Sequence, residues 1–181
     1  MLGLTFMVEP THIPEGILPG ETPEEHVERL SRAKALSVAR ARPGAAVLGG
    51  DTVVVVDGDI LGKPTGPEDA EAMLLRLAGR SHTVASGLAL ALPSGEVRSG
   101  VATTEVVFRS FRPEIARAYV QTGEPLDKAG GYGIQGPGAA LVSEIRGDYY
   151  TVVGLPIPLL MTLLEECGWE YAFGSLRVAK P

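Results

Sequence analysis

The most constraining feature of the sequence is an almost continuously apolar segment from Ala45 to Val56. Its length, its valines and the turn signals on either side are typical of a β-strand that is buried on both faces. Such a strand needs other elements to cover it. With 181 residues, the chain is long enough for one well-packed folding unit, or for two lobes that share a sheet, but too short for two independent domains.

Helix and hairpin signals surround this strand. Thr22-Pro23-Glu24-Glu25 has the pattern of a capping box with proline at the first helical position, which predicts a helix from there to about Arg42. Further helices are predicted at Pro67 to Ala78, Pro113 to Gln121 and about Pro156 to Glu166. Further strands are predicted at Thr83 to Leu92, Val97 to Arg109, Ala139 to Ile145 and Tyr149 to Val153. Because helices alternate irregularly with hairpins, we predict an α/β fold with a mixed central sheet.

Composition excludes several classes of partner. The net charge of −6, without a cluster of Lys or Arg, gives no general attraction to nucleic acid. Cys167 is the only cysteine, which excludes an intrachain disulfide and a cysteine-rich zinc site. No segment has the ~18 apolar residues of a membrane span, and no secretion signal is recognisable. These features predict a globular, cytoplasmic protein whose partner is a small molecule rather than nucleic acid or a membrane.

Asp51 is the strongest candidate for chemistry, because it lies inside the apolar segment. A buried carboxylate is costly unless it is paired or bound to a ligand. Gly49-Gly50 immediately before it permits a close backbone approach of a ligand, which favours a functional interpretation. The alternative is that the strand begins later and that Asp51 only caps a loop.

Three of the four lysines lie at positions that are unusual for simple surface cations: Lys34, Lys63 and Lys128. Lys34 is on the apolar face of the first predicted helix, where it is either a functional cation or a lysine whose ammonium reaches solvent from the edge of that face. Lys63 follows the predicted Asp57-Gly58 turn, and counting from that turn places it level with Thr52 unless a bulge intervenes. These positions suggest point charges that contact phosphate oxygens.

Two other patterns are discounted. Gly131-Tyr132-Gly133-Ile134-Gln135-Gly136 matches the glycine spacing of a dinucleotide-binding loop, but it neither follows a convincing strand nor opens a helix. His12, His26 and His82 are scattered without metal-ligand spacing. We interpret these histidines as polar residues of the surface or the core.

Several segments together resemble the Maf family. They are Gly50-Asp51-Thr52-Val53-Val54, Leu61-Gly62-Lys63-Pro64, Leu77-Ala78-Gly79-Arg80-Ser81-His82, Thr122 to Gly136, Gly147-Asp148-Tyr149-Tyr150 and Val153-Gly154-Leu155-Pro156. The matches keep their order along nearly the whole chain, which is more specific than any single motif. The resemblance implies two α/β lobes that flank a deep cleft, a fold related to inosine triphosphate pyrophosphatases, and commonly a homodimer.

The resemblance also implies roles for individual residues. Asp51 corresponds to the family's general base, and a divalent cation, Mg²⁺ or Mn²⁺, is expected at the triphosphate. The expected metal ligands are Glu15, Asp51 and Asp127, and the expected phosphate contacts are Lys34, Lys63 and Lys128. Thr52 and Gln135 match positions linked to base choice, and the loop around Gln135 resembles the branch that acts on dTTP and UTP. The Gln135 amide suits a pyrimidine edge, although it would suit an ordinary loop position equally.

One departure from the family pattern concerns the start of the chain. Family members usually begin with a strand that ends in a Ser-x-Ser-Pro-Arg-Arg-type segment, whereas this sequence starts at Met1-Leu2-Gly3-Leu4, just beyond it. We therefore treat residues 1–181 as a single Maf-like domain that is expected to lack that strand and its phosphate-binding arginine.

Two functions follow from the resemblance. The first is a nucleoside triphosphate pyrophosphatase that hydrolyses dTTP, UTP or a modified pyrimidine nucleotide to the monophosphate and pyrophosphate. The alternative is a catalytically weak nucleotide-binding protein that acts through a partner in septum formation or cell division.

Overall fold

The computed structural model describes residues 2–179. Its helices are α1 (Pro23–Ala41), α2 (Pro67–Leu77), α3 (Pro113–Val120), α4 (Tyr149–Val153) and α5 (Ile157–Glu166). Its strands are β1 (Val47–Val56), β2 (Asp59–Leu61), β3 (Ser81–Ala91), β4 (Val97–Phe108), β5 (Val142–Arg146), β6 (Trp169–Tyr171) and β7 (Leu176–Val178). None of the helices within residues 2–179 is both long enough and apolar enough to span a membrane.

Five strands form one sheet in the order β2-β1-β3-β4-β5, and β6 pairs with β7. β1 and β2 are antiparallel, with Val56 opposite Asp59. Asp57 and Gly58, which connect them, have φ values of 55° and 83°, as the tightest hairpin turns require. β4 and β5 are also antiparallel. The predicted α/β class is confirmed.

The chain forms two compact units. Unit 1 comprises the described residues of Met1–Asp51, Gly87–Val101 and Leu155–Pro181, and unit 2 comprises Thr52–Ser86 and Ala102–Gly154. β1, β3 and β4 each pass from one unit into the other. Consecutive residues of β1, Asp51 and Thr52, therefore belong to different units.

In unit 1, α1 begins as its capping box predicts. Thr22 Oγ1 accepts a hydrogen bond from the Glu25 amide, and the Glu25 carboxylate accepts one from the Thr22 amide. The buried face of α1 includes Leu30 and Ala35. A separate apolar cluster of unit 1 joins α5 to the unit 1 part of β3, and its buried members are Leu88, Leu90, Leu160, Leu163 and Leu164.

Gly49 in β1 has a structural role that differs from the close approach of a ligand predicted from the sequence. A Cβ at this position would lie 2.7 Å from the Ala35 amide nitrogen of α1, closer than packed atoms approach. The absence of a side chain therefore lets α1 pack tightly onto β1. The close backbone approach expected at Gly49 is made by this helix.

Unit 2 has its own apolar core, in which α2, α3 and the unit 2 parts of the strands meet. Its largest fully buried members are Phe108, Leu74, Leu77, Val84 and Val106. The ring of Phe108 packs edge-on against His82, with a centroid distance of 4.9 Å, and against Tyr132, with a centroid distance of 4.7 Å. This aromatic cluster attaches the Gly-rich loop, residues 128–138, to the core.

Two predictions of secondary structure are wrong. Residues 149–153, predicted as a strand, form helix α4, because the Asp148 carboxylate accepts a hydrogen bond from the Thr151 amide at 2.8 Å and so caps a helix. The strand predicted from Ala139 begins at Val142, because Pro137–Leu141 is a 3₁₀ helix. The short β6 and β7 were not predicted.

Replacing Gly49 tests the packing of α1 on β1. We expect Gly49→Ala to lower the free energy of unfolding by about 1–3 kcal/mol, because the added methyl overpacks two backbones. Urea denaturation measures this change. Gly16→Ala is the matched control, since a Cβ at Gly16 meets nothing within 4 Å and its φ lies outside the left-handed region. Equal stability of the two variants would contradict the interpretation.

Candidate active site

Asp51, Lys34 and Glu15 form a three-residue ionic cluster in unit 1. The Lys34 ammonium donates a hydrogen bond to Asp51 Oδ1 at 2.6 Å and lies 2.7 Å from Glu15 Oε1. The side chains of Asp51, Lys34 and Glu15 are 11%, 20% and 49% exposed, so the cluster is open to solvent on the Glu15 side. Asp51 therefore lies within a strand rather than capping a loop, and Lys34 is paired rather than merely solvated.

Two carboxylates share one ammonium in this cluster, and this arrangement shifts the pKa values of Asp51 and Lys34. Burial raises the pKa of Asp51, the hydrogen bond from Lys34 opposes that rise, and the negative charge of Glu15 adds to it. Burial alone would lower the pKa of Lys34, but its hydrogen bonds to both carboxylates raise it. Lys34 is thus held as a cation, while Asp51 binds a proton more readily than an ordinary aspartate does.

The loop that carries Glu15 is anchored to α1 by a buried glutamate. Glu21, whose side chain is 7% exposed, accepts hydrogen bonds from Arg29 and from the Leu18 amide. Arg29 also donates to the Gly16 carbonyl at 2.9 Å. The hydrogen bonds from Arg29 hold the pKa of Glu21 far below its usual range. Because α1 also carries Lys34, this anchor holds Glu15 on the helix to which it is paired.

Lys63 and Lys128 are brought together in unit 2 by a backbone hydrogen bond. The Gly130 amide donates to the Gly62 carbonyl at 3.0 Å, which joins the turn after β2 to the start of the Gly-rich loop. Lys128 donates to Asp127 Oδ1 at 2.6 Å, and this bond, with a contribution from the charge of Lys63, lowers the pKa of Asp127. Lys63 and Asp127 are exposed, Lys128 is partly exposed, and together they form a mixed-charge cluster with one excess positive charge.

The predicted alignment of Lys63 with Thr52 is only partly met. The turn has the expected register, but β1–β2 pairing ends at Val54 and Leu61. Lys63 therefore lies beyond the ladder, and its placement depends on the bond between Gly62 and Gly130.

The Gly-rich loop holds Gln135 at the surface between buried anchors. The Gly133 amide donates to Tyr119 Oη at 3.0 Å, and the Gly138 amide donates to the Glu124 carboxylate at 3.3 Å. A Cβ at Gly133 would lie 2.6 Å from Glu124 Oε1. The glycine spacing therefore serves packing against Tyr119 and Glu124, which agrees with rejecting a dinucleotide-binding loop.

His82 supports the same loop from the core. Its Nε2 lies 2.7 Å from Tyr132 Oη, and its Nδ1 has no hydrogen-bond partner within residues 2–179. Burial lowers the pKa of His82 to about 4, so the ring is neutral near pH 7. His82 is thus a core polar residue, as the sequence predicts.

Several residues that hold the candidate site residues in place are not predicted from the sequence: Glu21, Arg29, Ser86, Tyr119 and Glu124. Ser86 had a usable signal, because it is a polar residue within the largely apolar run of β3, as Asp51 is in β1. Its hydroxyl lies 2.7 Å from that of Thr52. The sequence gives no local signal for the other four residues, because their hydrogen-bond partners are distant along the chain or lie in irregular segments.

The carboxylates of Glu15 and Asp51 suit a divalent cation such as Mg²⁺, which proteins commonly hold through one or two carboxylates together with phosphate oxygens of a substrate. Both already converge on the single positive charge of Lys34. Asp127, the third expected ligand, is paired with Lys128 in unit 2. Within residues 2–179, no group of three or more His, Cys, Asp or Glu side chains is arranged as a metal site, so any cation there needs oxygens from another source.

An α/β fold with a mostly buried aspartate beside Lys34, and a pair of lysines next to glycine-containing turns, defines a protein suited to phosphorylated small molecules. The chain belongs to the family described as Maf-like protein, whose model matches residues 1–167. A dTTP/UTP pyrophosphatase of Symbiobacterium thermophilum is 48% identical over 177 residues, which cover 96% of this chain and 89% of that protein. A dTTP/UTP pyrophosphatase of Moorella thermoacetica is 49% identical over 168 residues, covering 92% and 87% respectively.

The ionic cluster predicts opposite shifts in the pKa of Asp51. Lys34→Met should raise it, because the hydrogen bond that lowers it is lost, whereas Glu15→Gln should lower it, because a neighbouring negative charge is removed. The carboxyl ¹³C shift of Asp51, followed against pH without added metal, measures both changes. Glu9→Gln is the control, since Glu9 pairs with Arg42 instead. Shifts of the same sign in Lys34→Met and Glu15→Gln would refute the shared-ammonium arrangement.

Proposed function

We propose that this chain is a nucleoside triphosphate pyrophosphatase that hydrolyses dTTP and UTP, or modified pyrimidine nucleotides, to the monophosphate and pyrophosphate. The observation that carries the proposal is Asp51, a carboxylate mostly buried in β1 and paired with Lys34 and Glu15. The names of its relatives, dTTP/UTP pyrophosphatase, support the substrate class.

In the proposed reaction, Asp51 accepts a proton from the water that attacks the α-phosphorus. The bond between the α-phosphorus and the bridging oxygen breaks, and pyrophosphate leaves with that oxygen. A divalent cation such as Mg²⁺ or Mn²⁺, for which Glu15 and Asp51 are the proposed ligands, would neutralise phosphate charge when bound. Burial of Asp51 suits the role of base, because it makes the carboxylate a better proton acceptor.

The proposed phosphate contacts are Lys34, Lys63 and Lys128. Lys34 is held as a cation by its two carboxylates, and Lys128 lies on the loop fixed by Tyr119 and Glu124. Ammonium groups held in place before binding stabilise charge that develops on phosphate oxygens without further reorganisation.

Base selection is proposed to rest on Thr52 and Gln135. The exposed Gln135 amide offers both a donor and an acceptor to a pyrimidine edge. Its backbone is held by the anchors at Gly133 and Gly138, so it is presented on a fixed loop.

Replacing the proposed base separates the enzyme from a nucleotide-binding regulator. Asp51→Asn should lower turnover of UTP by roughly 10²–10⁴, the usual loss for a general base. Pyrophosphate release at saturating substrate and metal measures it, with Asp69→Asn as control, because Asp69 accepts hydrogen bonds from Thr65 near the start of α2 and is not a proposed site residue. Parent protein that binds UTP but releases no pyrophosphate would favour the regulator.

A substrate panel tests the proposed base preference. The parent protein should have higher kcat/KM for UTP and dTTP than for ATP and GTP, and Gln135→Ala should reduce that preference because the amide contacts are lost. Gln121→Ala is the matched control, since Gln121 lies outside the loop, at the end of α3. Equal kcat/KM for all four nucleotides in the parent would reject the pyrimidine assignment.

A further inference from the structure

Ser86 connects the Thr52 hydroxyl to a buried backbone carbonyl. Ser86 Oγ lies 2.7 Å from the carbonyl oxygen of Thr151 and 2.7 Å from Thr52 Oγ1. Ser86 is fully buried, so water does not compete for these bonds. All three residues belong to unit 2.

The geometry fixes the direction of both hydrogen bonds. A carbonyl oxygen only accepts, and a serine hydroxyl has a single hydrogen, so Ser86 must donate that hydrogen to Thr151. Two oxygens at 2.7 Å without a hydrogen between them would repel each other. Ser86 therefore accepts the hydrogen of Thr52, and the Thr52 hydroxyl has only lone pairs left for any further partner.

The Thr151 carbonyl is itself fixed in place. Thr151 is fully buried, and both its amide and its hydroxyl donate to the Asp148 carboxylate, at 2.8 and 2.9 Å. The Asp148 carbonyl accepts a further hydrogen bond from Thr104 Oγ1 at 3.0 Å. The start of α4 is thus attached to β4, and the carbonyl cannot turn away from Ser86 without breaking the helix cap.

We infer that Ser86 is a specificity-determining positioning residue, which makes Thr52 an obligatory acceptor and thereby selects pyrimidines that carry a proton on N3. This inference rests on the proposed function, in which Thr52 faces the base. On the pairing edge of uracil and thymine the only donor is N3–H, whereas N3 of cytosine is unprotonated and would meet a lone pair. UTP and dTTP are therefore accepted. CTP is rejected because N3 of cytosine and the Thr52 hydroxyl oxygen would face each other as two acceptors.

The test compares UTP with CTP on each protein preparation. In Ser86→Ala the Thr52 hydroxyl is free to rotate and to donate to N3 of cytosine. The ratio of kcat/KM for UTP to that for CTP should then fall about 10-fold or more, the usual effect of a mismatched buried hydrogen bond. A ratio measured on one preparation does not depend on the fraction of protein that is folded.

Two further variants serve as controls. Ser86→Thr keeps a hydroxyl and should retain most of the parent ratio. Ser143→Ala removes another serine that donates to a backbone carbonyl, that of Val107, and should leave the ratio unchanged. An unchanged ratio in Ser86→Ala, or a parent ratio near one, would overturn the inference.

Calorimetric binding of UMP and CMP separates this inference from the proposed function. If the parent hydrolyses no nucleoside triphosphate but prefers UMP, and Ser86→Ala loses that preference, the pyrophosphatase proposal fails while the role of Ser86 stands. If hydrolysis of UTP is normal and Ser86→Ala keeps the preference for UMP over CMP, the role of Ser86 fails while the pyrophosphatase proposal stands.

Discussion

The ion pair between Lys34 and Asp51 is the interaction on which the candidate site depends. A carboxylate with 11% of its side chain exposed needs an opposite charge, and one helix of unit 1 supplies it. That helix can approach closely enough because Gly49, two residues before Asp51 in β1, has no side chain. One contact therefore serves both packing and charge pairing, because the packing of α1 onto β1 also brings the Lys34 ammonium to the Asp51 carboxylate.

The side chains that hold the candidate site in place are different from those that are available to a ligand. Tyr119 and Tyr132 are buried and uncharged near pH 7, and burial raises the pKa of Tyr119 to about 12. Tyr119 bonds the Gly-rich loop and Tyr132, within that loop, bonds to His82, while Gln135 remains exposed and Lys128 partly exposed. The same arrangement occurs in unit 1, where buried Glu21 anchors the loop and Glu15 is half exposed. Anchoring of this kind reduces the conformational entropy lost on binding.

The direction of the hydrogen bonds around Thr52 also contributes to the proposed base specificity. Near Thr52, the identity of the side chains does not by itself determine which group donates, because a hydroxyl can do either. The fixed carbonyl of Thr151 removes that freedom through Ser86. A specificity that depends on one proton is thus set by a helix cap at Asp148, far along the chain from the residue that faces the ligand in our proposal.

The sequence by itself determined the elements whose signals are local. The capping box of α1 and the Asp57-Gly58 turn were both predicted correctly, because their hydrogen bonds join residues a few positions apart. The apolar run also predicted that Asp51 needs a partner. The strand predicted at Tyr149 to Val153 was wrong, because the cap from Asp148 outweighs the strand propensity of these side chains and α4 forms instead.

Only the tertiary structure decided which groups become partners. Lys34 and Asp51 are 17 positions apart, and Thr52 and Ser86 are 34 positions apart. Such contacts depend on how strands and helices pack, and a sequence pattern states only that a buried polar group must find some partner. The sequence therefore required that Asp51 be paired, whereas the packing of α1 against β1 determined that Lys34 and Glu15 would do so.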